Sequence, residues 1–254
     1  MTVKFLGTGT SQGVPVIACD CQVCSSQNVK DNRLRSSVLV GLGSKNIVID
    51  TGPDFRYQML REHVTHLDAV LFTHSHKDHV AGLDDVRAFN RQQGGAIDIY
   101  GMRDVHEALQ REFYYAFSAK KYPGVPMLNL HEITSAPFEL FDHEVIPIEV
   151  MHYMMPVLGF RIGDFTYITD AKTVDDSQVE KINGSKILVV NALQREAHIS
   201  HFTLDEAVAF AERIGAEQTY FTHISHRLGL HCEVEAELPR GIYLAYDGLD
   251  LTIS

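Results

Sequence analysis

The 254-residue chain lacks several things whose absence narrows what it can be. It has no apolar run of the roughly 18 residues needed to cross a bilayer, so no membrane partner is expected. It has no basic excess: 22 Lys and Arg stand against 33 Asp and Glu, a formal charge of −11. Gripping long nucleic acid takes the opposite balance, so such a partner is not expected. A small phosphate substrate stays open, because bound divalent cations set the charge of their own site. Cysteines number four, and three of them crowd into residues 19–24. That pattern argues against a disulfide scaffold and for a metal site. No repeat, low-complexity stretch or linker divides the sequence, so residues 1–254 are expected to form a single domain. Met1 to Leu6 enters a strand with no apolar signal core and no cleavage site, so a cytoplasmic location is expected.

What is present starts with histidine, 14 residues in all, and with 45 % hydrophobic residues, enough for a large core. The stretch Thr73-His74-Ser75-His76-Lys77-Asp78-His79 places three imidazoles and a carboxylate within six consecutive residues. It follows the apolar run Ala69-Val70-Leu71-Phe72, which reads as a buried strand. The loop at the end of such a strand is where ligand sites collect in open α/β folds. Its spacing lets His74 and His76 point one way while Asp78 and His79 point another, so one segment can serve two neighbouring metals.

In chain order, a strand over Thr2–Gly7 leads to the turn-rich loop Gly7-Thr8-Gly9-Thr10-Ser11-Gln12-Gly13. That loop fits no nucleotide-binding fingerprint and is expected to line a pocket. A hairpin over 37–40 and 46–49 ends at Asp50-Thr51-Gly52. Helices are expected over 54–63, 84–89, 103–119 and 203–214, the last opened by the capping sequence Thr203-Leu204-Asp205-Glu206. Strands are expected over 96–100, 148–151, 186–191 and 219–222, a second hairpin over 158–162 and 166–169, and short strands near Ile242 and Leu251. His74, His152, Asp170 and His223 each stand where an apolar strand ends. Four such coincidences argue for one pocket along one edge of the sheets.

With these residues assembled, the sequence resembles the metallo-β-lactamase superfamily over nearly its whole length. The ordered set is Asp50, the HxHxDH run at 74–79, then His152, Asp170 and His223. The resemblance is to the phosphodiesterase branch that includes the tRNA 3′-processing endonucleases and the PhnP proteins. His201-Phe202-Thr203 with Ala207 matches the HxT…A element of those enzymes. Cys19, Cys21 and Cys24, paired with the late run Thr222-His223-Ile224-Ser225-His226, resemble the structural zinc site of the PhnP proteins.

The resemblance implies an α/β fold, a four-layer αββα sandwich of the metallo-β-lactamase type. It implies two divalent metal ions, Mn²⁺ or Zn²⁺, one held by His74, His76 and His152, the other by Asp78, His79 and His223. Asp170 bridges them and Asp50 supports the histidine loop from behind. A hydroxide shared by the metals is the implied nucleophile. His201 is the implied general acid, with His198 the second choice for that role or a surface residue. One structural Zn²⁺ is implied at Cys19, Cys21, Cys24 and His226, a closed Cys₃His site. The implied activity is hydrolysis of a small phosphodiester, cyclic ribose or nucleotide phosphates being favoured. A homodimer is implied by the resemblance alone. The arm with which the endonucleases grip tRNA has no counterpart in the chain. Rival readings are a thioester or lactone hydrolase on the same fold, a tRNA 3′-endonuclease, and a catalytically silent metal-stabilised interaction module.

The remaining histidines, His63, His66, His106, His131 and His143, are expected at the surface, and Cys232 as an inert thiol. His231 is a weaker candidate for the pocket rim. Arg33 and Arg35 are expected either to meet a substrate phosphate or to pair with the acidic surface.

Overall fold

A computed structural model describes residues 1–120 and 122–253. The first half runs β1 (Thr2–Gly7), β2 (Ser37–Leu42), β3 (Lys45–Ile49), α1 (Phe55–Arg61), β4 (Ala69–Leu71) and α2 (Lys77–Val80). It continues through α3 (Arg87–Gln93), β5 (Ile97–Gly101), α4 (Arg103–Glu112), α5 (Tyr114–Phe117) and β6 (Leu128–Glu132). The second half runs β7 (Phe138–Leu140), β8 (His143–His152), β9 (Met155–Ile162), β10 (Phe165–Tyr167), α6 (Asp176–Ile182) and β11 (Ile187–Asn191). It closes with α7 (Leu204–Ile214), β12 (Gln218–Thr222), α8 (His231–Glu237), β13 (Ile242–Leu244) and β14 (Asp250–Thr252).

The strands form two seven-stranded sheets, ordered β14-β1-β2-β3-β4-β5-β6 and β13-β12-β11-β10-β9-β8-β7. Period-two alternation decides how they stack. Ile47, Ile49, Ala69 and Leu71 of the first sheet share one buried cluster with Phe160, Phe165, Tyr167, Ile187 and Val189 of the second. The intervening residues face the other way. Val48 and Val70 pack under Phe55, Phe89, Val105 and Leu109 on the first sheet's outer helices. Leu188, Val190 and Phe221 pack under Val179, Leu204, Ala207 and Phe210 on the second sheet's. The result is four layers, helix–sheet–sheet–helix, as the resemblance implied.

The expected elements differ in places from those observed. The helix expected over 103–119 breaks at Phe113, whose backbone (φ −108°, ψ 37°) leaves the helical region; Tyr115 beyond the break bonds Asp84 through its hydroxyl at 2.6 Å. The strand expected from Leu158 begins at Met155 and pairs with β8 from Val145 to His152, as well as with β10. The turn joining β8 to β9 is Tyr153-Met154, which carries none of the Gly, Asn or Asp that announce a hairpin. His106 is buried, not at the surface, because it lies on the same face of α4 as Val105 and Leu109 and packs on Gly101 of β5. His63, His66, His131 and His143 are exposed, as expected.

Candidate metal centre

The fold delivers the strand-end residues to one edge between the sheets. β3 ends at Asp50, β4 leads into the 73–79 loop, β8 ends at His152, β10 leads to Asp170 and β12 to His223. Asp50 (φ 64°), Asp170 (φ 58°) and His223 (φ 54°) all occupy the left-handed region. For side chains other than glycine that conformation is costly and persists only where the surroundings hold it, as at functional sites.

Asp50 is fully buried and accepts three hydrogen bonds: from Thr73 N at 2.9 Å, Thr73 Oγ1 at 2.8 Å and His79 Nδ1 at 2.7 Å. The single hydroxyl proton of Thr73 is thereby committed to Asp50. Thr73 Oγ1 must then accept from His74 Nδ1, 2.9 Å away. His152 Nδ1 donates to the carbonyl oxygen of Asp170 at 3.0 Å. Three imidazoles thus have Nδ1 occupied as a donor, which makes Nε2 the nitrogen each has for a ligand at the centre. Nε2 of His74 is buried with no hydrogen-bond partner, and Nε2 of His79 is buried facing the carboxylates of Asp78 and Asp170.

Asp170 stands at the centre. Its Oδ2 lies 3.3 Å from His79 Nε2, and its Oδ1 lies 3.3 Å from His223 Nε2 and 3.0 Å from His201 Nε2. Asp78 Oδ2 is 3.2 Å from His79 Nε2. Ring centroids of His74 and His76 are 4.7 Å apart, and those of His76 and His152 5.2 Å. Burial opposes the charge on Asp170, but His223, His79 and His201 outweigh it and hold its carboxyl well below the usual range. Burial pushes His223 down to about 4 and His74 well below its ordinary value, so both are neutral imidazoles near pH 7. Neutral nitrogen donors beside ionised carboxylates, with the orphaned buried Nε2 of His74 among them, fit a divalent cation of the zinc or manganese type. The residues that could hold such ions are His74, His76, His152, Asp78, His79, His223 and Asp170, the set read from the sequence.

His201 completes the edge. Its Nε2 faces Asp170, and its Nδ1 lies 3.1 Å from both Ser200 Oγ and His198 Nδ1. The HxT…A spacing now has a local cause. Thr203 N-caps α7 in a reciprocal capping box with Glu206, and Glu206 also pairs with Lys172 at 2.7 Å. Ala207 is fully buried beneath the second sheet, so α7 approaches closely and pins His201 two residues before its cap. His198 contacts His201, its Nδ1 3.1 Å from that of His201.

The three clustered cysteines meet His226, as the resemblance implies. Sγ of Cys19, Cys21 and Cys24 lie 3.3, 3.4 and 3.5 Å from His226 Nδ1. All three are free thiols. The backbone N–H of Cys24 and the His226 ring draw the Cys21 thiol down to about 6, which favours a thiolate. Four ligand atoms round one point could hold a tetrahedral zinc. The cluster anchors the loop after β1 to the segment carrying His223, whose Nε2 lies 3.2 Å from Thr10 Oγ1. That contact places the 7–13 loop at the pocket, as expected.

Two expectations fail, at Arg33 and His231, while Arg35 pairs with an acidic group as one of its two expectations had it. Arg33 meets neither substrate nor surface; it is 4 % exposed and donates to Thr8 Oγ1 at 2.8 Å and to the Ala245 carbonyl. His231 is likewise buried, not at a rim, and accepts from Arg33 Nη2 at 3.1 Å through Nδ1. Both serve an internal polar network with Asp31 and Asp247 that no local pattern announces. Arg35 is held by Asp54, whose two carboxylate oxygens lie 3.1 Å from its Nη1.

The family model of the beta-lactamase superfamily domain matches residues 45–224 of this chain. The chain belongs to that family. It is 38 % identical over 258 residues to a Porphyromonas gingivalis protein named octanoyltransferase, matching all of this chain and 52 % of that one. The chain spans about half the length of the curated relatives it matches. Among solved structures it superposes on a diphosphatase of the PhnP family with a TM-score of 0.93 and 42 % identity, covering 100 % of this chain and 98 % of that one. It superposes on Zn²⁺-bound PqqB from Methylobacterium extorquens with a TM-score of 0.80 and 21 % identity, covering 100 % of each, a likeness of fold alone. Membership places the chain in a superfamily of metal-dependent hydrolases. No helix among the described residues is long and apolar enough to cross a membrane.

Proposed function

We propose that the chain is a single-domain, cytoplasmic phosphodiesterase that hydrolyses a small phosphodiester. His74, His76 and His152 would hold one divalent cation and Asp78, His79 and His223 a second, with Asp170 shared between them. When bound, such ions neutralise charge on the phosphoryl oxygens and make water acidic enough to attack near neutral pH. The protein's own part follows from its hydrogen bonds. Asp50, Thr73 and the Asp170 carbonyl fix the imidazoles so that no ring need turn before reaction. His201 carries a proton on Nε2 toward the centre and delivers it to the departing alkoxide, which leaves poorly without one.

The observation that carries this reading is the 3.0 Å approach of His201 Nε2 to Asp170 Oδ1. A proton donor aimed at the shared carboxylate is what diester cleavage needs. With Mn²⁺ or Zn²⁺ the protein should hydrolyse bis(p-nitrophenyl) phosphate, and His201→Ala should lower kcat at least about tenfold. That variant should retain both active-site ions by metal analysis; loss of one ion would make His201 a ligand and not the acid.

A second reading is a thioester or lactone hydrolase on the same site. The relative named octanoyltransferase favours it, although half of that protein has no counterpart in this chain. Assay of acyl thioester, lactone and phosphodiester side by side decides between them. The structural zinc at the Cys₃His cluster and a homodimeric state belong to the same proposal.

A further inference from the structure

Thr169 is fully buried, two residues past the end of β10 and directly before Asp170. Its hydroxyl donates to Asp170 Oδ2 at 2.7 Å, and the same oxygen lies 3.4 Å from His223 Nδ1. Because the one hydroxyl proton is committed to Asp170, Thr169 Oγ1 accepts from His223 Nδ1. Thr73 has the same place and the same bonds on the other sheet. It stands two residues past the end of β4, directly before His74, and its hydroxyl donates to Asp50 while accepting from His74 Nδ1. Each sheet therefore ends one strand on a buried threonine whose hydroxyl joins a carboxylate to an imidazole. On the second sheet the joined residues belong to separate strands, Asp170 after β10 and His223 after β12, with β11 between them. Both also carry left-handed backbone, which the surroundings have to hold.

We infer that Thr169 is a positioning residue for the metal centre, fixing the plane of the Asp170 carboxylate and presenting His223 through Nε2. This rests on the metal-binding part of the proposed function. A carboxylate turns about its Cβ–Cγ bond, and a donor on Oδ2 stops that turn. Oδ1 is then kept where it lies, 3.3 Å from His223 Nε2 and 3.0 Å from His201 Nε2. An imidazole with no partner at Nδ1 can offer either nitrogen to an ion; one whose Nδ1 donates to a fixed acceptor offers Nε2. Threonine suits the task because its branched Cβ restricts χ1, so the hydroxyl is aimed before any ion arrives. A buried hydroxyl left unbonded costs stability, and here both its donor and its acceptor capacity go to residues of the site.

The test compares Thr169→Val, which keeps the branched shape and removes the hydroxyl, with Thr169→Ser, which keeps the hydroxyl and removes the methyl. Metal-free native protein and both variants are titrated with Zn²⁺ against a competing chelator. In Thr169→Val the weaker-held active-site ion should lose affinity about 10- to 100-fold while circular dichroism stays native. Thr169→Ser should recover affinity to within about threefold of native, a rescue that a packing role for the methyl does not allow. Native affinity in Thr169→Val, or equal losses in the two variants, overturns the assignment and leaves the phosphodiesterase reading standing. Should Thr169→Val fail to fold, Thr169→Ser decides alone: near-native affinity supports the assignment, and a loss beyond about tenfold overturns it. A native protein that binds its ions yet hydrolyses no phosphodiester overturns the phosphodiesterase reading and leaves Thr169 its role. A native protein that takes up no ion at these residues overturns both.

Discussion

His79 donates through Nδ1 to Asp50 at 2.7 Å, and neither side chain meets solvent. The bond fixes which nitrogen of His79 is free, and Asp50 is itself fixed by two bonds from Thr73. Burial works against charge on His79, but Asp50, Asp170 and Asp78 outweigh it, so without a cation the ring holds a second proton well above its ordinary pKa. A metal at Nε2 has to displace that proton. Asp50→Asn removes the anionic acceptor and lets the ring turn. Metal affinity should fall about 10- to 100-fold, read by titration against a competing chelator; unchanged affinity would show that the strand backbone alone orients His79.

The Cys₃His cluster sits on loops and shares no residue with the set that could hold the active-site ions. On the proposed three-ion reading, Cys21→Ser should lower the metal count from three ions per chain to two while leaving the active-site pair in place. If the closed site contributes about 3 kcal/mol, Tm falls by about 6–12 °C in a domain of this size. Metal analysis and calorimetry of one preparation check both. Loss of all three ions together would mean that the cluster holds the active site in shape and is more than a clasp.

His231 gives the acid limb of stability a local cause. Its Nδ1 accepts from Arg33, so protonation costs that bond and sets two cations side by side in the interior. Burial first, then Arg33 and Lys30, push its pKa from 6.5 down to about 4. Between those values the unfolded chain binds a proton that the folded chain refuses. The contribution is complete above pH 6.5 and drains as pH falls toward 4. The urea midpoint of the native protein should decline more steeply across that window than that of His231→Gln. Parallel declines would place the acid sensitivity elsewhere.

The site was legible where chemistry repeats along the chain, and hidden where it depends on packing. Asp50, His74, His152, Asp170 and His223 could be read because each terminates an apolar strand, and the structure brings all five together. The β8–β9 hairpin could not, since its turn is Tyr153-Met154 and the strain at φ 57° is held by the long strands on either side. Arg33 and His231 looked like rim residues because a charged or polar side chain in a loop defaults to the surface. Their burial is settled by contacts 198 residues apart in sequence, which no local pattern carries. The break after α4 is a similar case: the apolar spacing continues to Ala119, but the bond from Tyr115 to Asp84 turns the chain away.

Gly52 shows how little room the histidine loop has. A Cβ there would come within 2.1 Å of the Asp78 carbonyl oxygen and 3.3 Å of the Arg35 Cβ. The first distance is far inside contact, and both groups are backbone-anchored, so the loop would have to move. Thr51 N also bonds the His79 carbonyl at 2.8 Å, which ties the same two segments one residue away. Gly52→Ala should therefore displace Asp78 before it unfolds the core, costing one of the two active-site ions and at least about 10²-fold in kcat, since a shift of about 1 Å at a reacting centre has that effect. Circular dichroism should stay native while metal analysis falls toward one active-site ion per chain. Full metal occupancy with native activity would mean that the loop yields freely, and that the close packing of Gly52 on Asp78 has no part in holding the site.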